Sequence, residues 1–346
     1  MTVVMVEDLD PGSADAGVPA HFGDPMREQR LLETGVGLVD RSNREVIAVP
    51  GEERASWLHT LTTQHLSSLT SGEGSELLVL SPNGHIEQHA FVTEDGTTAW
   101  LDTEPGAGAG LLKYLEMMRF FTRVEPRDAS AEIAVLSLVG PGAAELFPDL
   151  AAARVSAVPA SRFAAGSVPA QATSSYPVRA FEGGLARRVP LGVDLLVPRT
   201  AKEAVVERLG VAPAGLWAYE AVRVAARIPR LGWETDHRTI PAEIELMAAS
   251  VHLEKGCYRG QETVARVHNL GRPPRRQVLL HLDGVATDHP PARGTAVELD
   301  GRAIGFVGTA VRHHELGMIA LAVVKRNVPD DARLTVGESA AAIDAE

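Results

Sequence analysis

The chain has 346 residues, of which 45% are hydrophobic and 23% charged, and its formal net charge is −12 at pH 7. This is the composition of a globular protein, and the length predicts two or three domains. The negative charge disfavours direct binding to nucleic acid, because such binding rests largely on neutralised phosphates. The single cysteine excludes an internal disulfide framework and a four-cysteine iron–sulfur or zinc site.

The start of the chain, Met-Thr-Val-Val-Met-Val-Glu-Asp, lacks the cationic segment and apolar core of a signal peptide. No apolar run reaches the roughly 18 residues that a membrane helix needs. We therefore expect a cytoplasmic protein that makes no membrane contact. Residues 1–25 are rich in Asp, Gly, Pro and Ala without periodicity, which predicts a mobile tail.

Residues 26–130 are predicted to form a first α+β module. An apolar strand at 45–49 ends at Pro50-Gly51, and a helix follows with two acidic residues in its first turn. Further strands are predicted at 77–80 and 86–92, joined by a Ser-Pro-Asn-Gly turn.

The second of these strands carries His85, Glu87 and His89, which alternation places on one face. Such a face is either a metal site or a solvated strand surface. Without a third histidine nearby, the pattern favours the solvated surface, and we predict no bound metal.

Residues 131–274 repeat the order of strand, Pro/Gly turn and helix, which predicts a second α+β module of ferredoxin-like type, intertwined with the first. Residues 151–175 are rich in Ala, Ser and Pro and are interpreted as a loose connection. Residues 275–346 contain several short strands separated by glycine and proline, which predicts a small C-terminal β-barrel. At the junction, Arg272, Arg275 and Arg276 form either a solvated linker or an anion site.

The run Lys-Gly-Cys-Tyr-Arg-Gly-Gln-Glu at 255–262 contains the only cysteine, Cys257. Gly256 and Gly260 permit unusual backbone conformations beside the thiol, and the nearby cation of Lys255 favours a thiolate. These features indicate a reactive thiol. Residue types alone, however, favour a buried and inert cysteine.

This octapeptide, with the Val-Ala-Arg at 264–266 that follows it, resembles the signature of the YgfZ family of folate-binding proteins. That family in turn is similar to the aminomethyltransferase, or T-protein, of the glycine cleavage system. The resemblance implies an α+β fold with three domains in a cloverleaf around tetrahydrofolate. It also implies a role in assembling or repairing iron–sulfur client enzymes, including enzymes that thiolate tRNA.

Carried onto this chain, the resemblance implies that Cys257 and Lys255 form the reactive group. It implies as well that folate is bound by a set of residues from the octapeptide and one helix: Tyr258, Gly256, Gly260, Gln261 and Arg223.

The chain departs from the transferase pattern at three places. Cys257 stands where the transferase has aspartate, Gln88 and His89 replace acidic residues, and Ala225 replaces a glutamate that contacts the pterin. An amide cannot act as a carboxylate base. The departures therefore favour a folate-binding accessory protein without classical turnover over the alternative, a folate-dependent aminomethyltransferase or demethylase. A third hypothesis makes Cys257 a nucleophile with His252 or His268 as its base.

Overall fold

The computed structural model describes residues 2–151, 175–244, 246–284 and 289–344. The predicted connection at 151–175 lies almost wholly outside the described residues. The described part contains ten α-helices: α1 (Val6–Leu9), α2 (Pro25–Thr34), α3 (Arg54–Leu61), α4 (Gly108–Met117), α5 (Ala143–Leu146), α6 (Pro148–Ala151), α7 (Lys202–Leu209), α8 (Leu216–Ala225), α9 (Met247–Ser250) and α10 (Gln261–Leu270). Short 3₁₀ turns occur at Arg199–Ala201 and Pro241–Glu243.

The strands of the described part are β1 (Val4–Met5), β2 (Pro19–His21), β3 (Gly37–Asp40), β4 (Glu45–Pro50), β5 (Glu73–Leu80), β6 (Ile86–Glu94), β7 (Thr98–Thr103), β8 (Arg127–Asp128), β9 (Ile133–Val139), β10 (Tyr176–Phe181), β11 (Gly184–Val189), β12 (Gly192–Pro198), β13 (Pro213–Ala214), β14 (Arg275–Leu282), β15 (Ala296–Leu299), β16 (Arg302–His313), β17 (Gly317–Lys325), β18 (Leu334–Val336) and β19 (Ser339–Ile343).

Eleven of these strands form one sheet in the order β13-β3-β9-β12-β11-β10-β5-β6-β7-β4-β8. Adjacent strands in this sheet are antiparallel, except that β13 runs parallel to β3. The early strand β3 lies between two strands of the predicted second module, so the two modules share a continuous sheet, as an intertwined pair would. The module boundaries at 130 and 274 stay predictions.

The last six strands close into a barrel in the order β14-β17-β16-β15-β18-β19. Apolar side chains from alternate positions, such as Leu280, Val307 and Ala322, fill its interior. The predicted α+β fold with a C-terminal β-barrel is thereby confirmed.

The interpretation of residues 1–25 as a mobile tail is wrong for most of that segment. The strands β1 and β2 pair with each other, and Val18 and Ala20 are fully buried in a cluster with Leu216 and Tyr219. Asp15 is also buried and pairs with the distant Arg230 at 2.8 Å. Contacts with α8, about two hundred residues away in the chain, order a segment whose own composition lacks any periodicity.

Candidate functional site

The sequence motif lies on an irregular segment between α9 and α10. We call residues 251–260 the cysteine strap. Cys257 is exposed and makes no hydrogen bond among the described residues, while Lys255 and Tyr258 beside it are buried. The strap therefore holds the thiol outward and its neighbours inward. The hypothesis of a buried, inert cysteine is not supported by this exposure.

Lys255 anchors the strap to the end of α3. Its ammonium donates to the carbonyl oxygens of Thr62 at 2.5 Å, Gln64 at 3.0 Å and His59. An ammonium has three N–H donors, so none remains to donate to the sulfur of Cys257. Burial lowers the pKa of Lys255 to about 8. The contacts assign Lys255 to anchoring, and its predicted effect on the thiol stays a prediction.

Two further motif side chains hold the strap in shape. Tyr258 packs in an apolar cluster with Leu78 and Leu80 of β5 and Val323 of the barrel, and burial raises its pKa to about 12. Gln261 donates from Nε2 to the carbonyl oxygen of Lys255 at 3.1 Å, which closes the loop. The predicted folate contacts of both residues stay predictions.

The two motif glycines differ in what they require. Gly260 precedes α10 with φ of +82°, and a Cβ there would lie 2.7 Å from the carbonyl oxygen of Ser81. Across this contact, Gly84 has φ of +81°, and its Cβ would lie 2.7 Å from Cβ of Thr263. A Cβ on Gly256 would meet no atom within 4 Å. The strap thus packs closely on the β5–β6 turn at Gly260 and has open space at Gly256.

The guanidinium of Arg223 forms hydrogen bonds within the protein. Its guanidinium donates to Glu220 at 2.6 Å, Thr309 at 2.7 Å, Glu234 at 3.4 Å and the carbonyl oxygen of Ile228. Nε donates to Glu220 as well, so all five N–H donors are used within the protein. These contacts join α8 to the barrel, and the predicted folate contact of Arg223 stays a prediction.

A larger network of buried charges lies on the sheet and on the segments packed against it. We call it the polar belt; its members are Asp15, Arg41, Arg44, Asp102, Glu104, Arg187, Asp194, Glu220 and Arg230. Ion pairs run along it, from Arg187 to Asp102 at 2.7 Å and from Arg44 to Asp102 at 2.8 Å. Burial alone would raise the pKa of Asp102, but Arg187 and Arg44 lower it. Sequence reasoning missed the belt, although charged residues such as Asp194 inside apolar strands were a signal for it.

The three polar residues of β6 and its turn are not brought together as a metal site. Glu87 is exposed and pairs with Arg259 of the strap at 3.3 Å. His89 is buried, and its Nε2 lies 2.9 Å from Oε2 of Glu76 on β5. The carboxylate of Glu76 also accepts hydrogen bonds from the hydroxyls of Tyr176 and Ser250, the latter at 3.1 Å.

Burial alone would raise the pKa of Glu76. Hydrogen bonds from His89, Tyr176 and Ser250 outweigh this effect, so the pKa of the carboxyl lies below its ordinary value. Glu76 is therefore an ionised acceptor with three donors around it. We call Glu76 and His89 the His89 dyad.

Two of the three arginines in the basic cluster before and at the start of β14 form ion pairs. Arg275 pairs with Asp236 and Glu243, each at 2.8 Å, and Arg276 pairs with Asp330. These partners favour the linker interpretation over an anion site.

The nucleophile hypothesis finds no supporting contact. His252 and His268 form no hydrogen bond with the thiol of Cys257. Nδ1 of His252 accepts from the backbone N–H of Glu254 at 3.3 Å, and its ring lies 5.2 Å from that of His65. His268 lies seven residues into α10, about 10 Å along the helix axis.

Among the described residues, Glu33, His313 and His314 could hold a metal ion, since one ligand atom of each lies within 4.8 Å of the others. Nδ1 of His313, however, accepts from the backbone N–H groups of Glu315 and Leu316 at 3.2 Å. The neutral imidazole then carries its proton on Nε2, which faces Glu33 at 2.9 Å. This arrangement favours a hydrogen-bonded link between α2 and β16 over a metal site.

The fold matches a solved structure over most of its length. The glycine cleavage system aminomethyltransferase T from Bartonella henselae superposes with a TM-score of 0.76 at 19% identity, covering 96% of this chain and 91% of that one. The class is thus an α+β protein with a C-terminal barrel. The family model described as the GCVT N-terminal domain matches residues 18–255, more than half of the chain. The chain belongs to this family.

Two relatives show how far the similarity extends. An Arabidopsis thaliana protein, named as a chloroplastic transferase, is 25% identical over 345 residues, covering 96% of this chain and 76% of its own length. An aminomethyltransferase of Geobacillus kaustophilus is 26% identical over 324 residues, covering 90% of this chain and 85% of its own. Within the described residues, no helix is long and apolar enough to cross a membrane.

Proposed function

We propose that this chain binds tetrahydrofolate and assists the assembly or repair of iron–sulfur enzymes, tRNA-modifying ones among them, by presenting Cys257 to its clients. The observation that carries the proposal is the exposed thiol on an anchored strap. A thiolate is a ligand for iron and a partner for persulfides, so an accessible one suits transient contact with a cluster. The resemblance of the octapeptide to the YgfZ signature supports the same role.

The folate part of the proposal rests on the family. Relatives named as aminomethyltransferases share the fold over most of their length, and the resemblance implies tetrahydrofolate as their common ligand. In this chain Gln261 closes the strap and Gly260 allows its close packing on the β5–β6 turn, whereas Gly256 leaves open space next to Cys257. Tyr258 packs the strap against β5 and the barrel, and Arg223 joins α8 to the barrel.

Calorimetric titration of the purified full chain with tetrahydrofolate tests the first half. We expect saturable binding, and a flat titration would contradict the proposal. Folinic acid and unsubstituted pterin, titrated in parallel, identify which part of the ligand is recognised.

The second half depends on Cys257. A strain lacking its own counterpart should regain iron–sulfur enzyme activity with the wild-type chain but not with Cys257→Ser. Glu262→Gln is the matched control, because Glu262 is exposed and pairs with Arg266 on the surface of α10. Equal rescue by Cys257→Ser and the wild type would remove the thiol from the function.

The alternative is a folate-dependent one-carbon transferase, and the names of the relatives favour it. Against it stand the residues on β6: Gln88 is an amide, and its Nε2 lies against Gly110 of α4. Turnover of an aminomethyl donor with tetrahydrofolate distinguishes the two functions. We expect none, and a measurable rate would favour the transferase.

A further inference from the structure

The segment that follows α4 carries two adjacent exposed aromatic side chains. We call residues 117–123 the aromatic tip. Among the large apolar side chains that the structure describes, Phe121 and Phe120 are the most exposed: Phe121 is fully exposed and Phe120 is 78% exposed. Met117 at the end of α4 is exposed as well. Single apolar residues are common on protein surfaces, but a contiguous apolar patch marks an interaction site.

The backbone of the tip is unfavourable for the residues that it carries. The N–H of Thr122 donates to the carbonyl oxygen of Arg119 at 2.9 Å, so Phe120 and Phe121 occupy the two central positions of a turn. Phe120 has a φ of +43°, in the left-handed region that glycine, asparagine or aspartate ordinarily takes and that bulky side chains rarely adopt. The fold therefore gains neither burial nor a relaxed backbone from these rings. Such an outlier, held in place by its surroundings, is typical of a functional position.

Contacts on both sides hold the tip in one conformation. On its N-terminal side, the indole N–H of Trp57 in α3 donates to the carbonyl oxygen of Met118 at 3.1 Å. On its C-terminal side, the N–H of Arg123 donates to Glu53 at 2.8 Å, and a Cβ on Gly51 would lie 2.2 Å from the carbonyl oxygen of Arg123. A turn that is already fixed presents both rings without the entropy cost of ordering a loop on binding.

The cysteine strap contacts the helix that carries the tip. Burial raises the pKa of Tyr114 in α4, and the nearby guanidinium of Arg259 partly offsets this effect. Arg259 follows Cys257 by two residues, and Met117 follows Tyr114 by about one helical turn, roughly 5 Å along the axis. The exposed thiol and the aromatic tip are therefore neighbouring parts of one surface.

The area and the charge of the tip restrict what can cover it. Its two phenylalanines and one methionine offer about 500 Å², since an aromatic side chain buries roughly 150–250 Å². This is below the roughly 800 Å² per partner of a stable complex, so the tip alone does not support a permanent dimer. Lys113 and Arg119 form no ion pair within the described residues, and one carboxylate, Glu116, lies between them. The net charge of −12 opposes an anionic lipid surface.

We infer that the aromatic tip is the docking surface for the client protein that Cys257 serves, with Phe120 and Phe121 inserted into an apolar pocket and Arg119 facing an acidic rim. The inference deepens the proposed function and rests on it for the identity of the partner, an iron–sulfur client. A contact of this small size suits a short-lived complex. The tip then supplies the affinity, and the strap supplies the reactive group.

Rescue of iron–sulfur enzyme activity in a strain lacking its own counterpart, with the chain expressed from a titratable promoter, tests the inference. We expect Phe121→Ser to need about tenfold more protein than the wild type for half-maximal rescue, as for the loss of one aromatic anchor from an interface. Leu9→Ser is the matched control, because Leu9 is an exposed apolar residue of α1, and it should rescue like the wild type. Purified Phe121→Ser should keep the wild-type rate of Cys257 labelling by a thiol reagent and the wild-type affinity for tetrahydrofolate.

The variant Phe120→Gly separates docking from folding. Glycine adopts the left-handed conformation without strain, so this variant should melt no lower than the wild type while its rescue falls as for Phe121→Ser. A purely structural Phe120 would give the reverse, a lower melting temperature with rescue retained.

Full rescue by Phe121→Ser would overturn the inference and leave the proposed function standing. Slower thiol labelling or weaker folate binding in Phe121→Ser would also overturn it, because the tip would then act through the strap. A wild-type dimer in sedimentation that Phe121→Ser abolishes would assign the tip to a second copy of the chain, and binding to phosphatidylglycerol vesicles abolished by the same variant would assign it to a lipid surface; either result overturns the inference. No rescue by the wild type would overturn the proposed function and the inference together.

Discussion

The cysteine strap and the polar belt use similar side chains in opposite ways. Arg259 of the strap pairs with Glu87 of β6 at 3.3 Å, and more than a third of each side chain is exposed. In the belt, Arg187 and Asp102 pair at 2.7 Å and are fully buried. An exposed pair adds little to stability, whereas an unpaired charge in a buried network is costly. The strap therefore exposes the thiol of Cys257 on the surface, whereas the belt stabilises the sheet from inside.

The largest expected effect comes from breaking the belt. Arg187→Met removes the cation that pairs with Asp102 and Asp194 and leaves both carboxylates buried with fewer partners. We expect the free energy of unfolding to fall by about 3–5 kcal/mol, measured by denaturant titration. Arg259→Ala in the strap is the matched control and should change it by less than about 1 kcal/mol. Similar losses in both variants would contradict the comparison.

The contact between the strap and the β5–β6 turn comes next. Gly260→Ala places a Cβ against Ser81 in a left-handed backbone conformation, which we expect to cost about 2 kcal/mol. Gly256→Ala, where space is open, should stay within about 0.5 kcal/mol. The two unfolding curves measured side by side test this, and a larger loss for Gly256→Ala would show that the strap is held elsewhere.

The Lys255 anchor should have a smaller effect on stability. Lys255→Met removes three hydrogen bonds to carbonyl oxygens but also relieves the burial of a charge, so we expect a net loss of about 1 kcal/mol. Hydrogen exchange of the strap amides, His252 among them, should become faster. Unchanged protection in the variant would mean that Lys255 does not anchor the strap.

The smallest effect concerns pH. Burial, and then electrostatic repulsion from Lys255 and the neighbouring His65 and His252, lower the pKa of His59 to about 4 from 6.5. Between these values the unfolded chain binds a proton that the folded chain does not, so stability contributed by His59 falls as the pH drops from 6.5 to 4. His59→Asn keeps an acceptor for the backbone N–H of Leu66. Its stability should depend less steeply on pH in this window, and an identical slope would exclude His59.

Local patterns in the sequence predicted much of the fold. The strand at 45–49 and the helix after Pro50-Gly51 correspond to β4 and α3, and the strand-rich end of the chain forms the barrel. These predictions succeed because alternation, turn residues and helix caps act over a few neighbouring residues. The motif also located the exposed thiol, through a resemblance rather than through residue chemistry.

The remaining features depend on partners far apart in the chain. Asp15 is buried because Arg230 faces it, and His89 lies beside Glu76 and Tyr176, which are 13 and 87 positions away. Arg223 of α8 donates to Thr309 of the barrel, which lies 86 positions away. No local pattern specifies which buried charge meets which. Those pairings exist only once the sheet has formed.

The position of β3 has a consequence for biosynthesis. This strand, completed at Asp40, is held between β9 and β13, and β13 begins at Pro213. At ordinary translation rates, β13 leaves the ribosome on the order of ten seconds or more after β3. During that interval the edge of β3 that pairs with β13 has no partner strand, and unpaired strand edges promote association with other chains. Nascent chains of this protein should therefore depend on holding factors until residue 214 has emerged, and ribosome-bound fragments that end before it should aggregate more readily than longer ones.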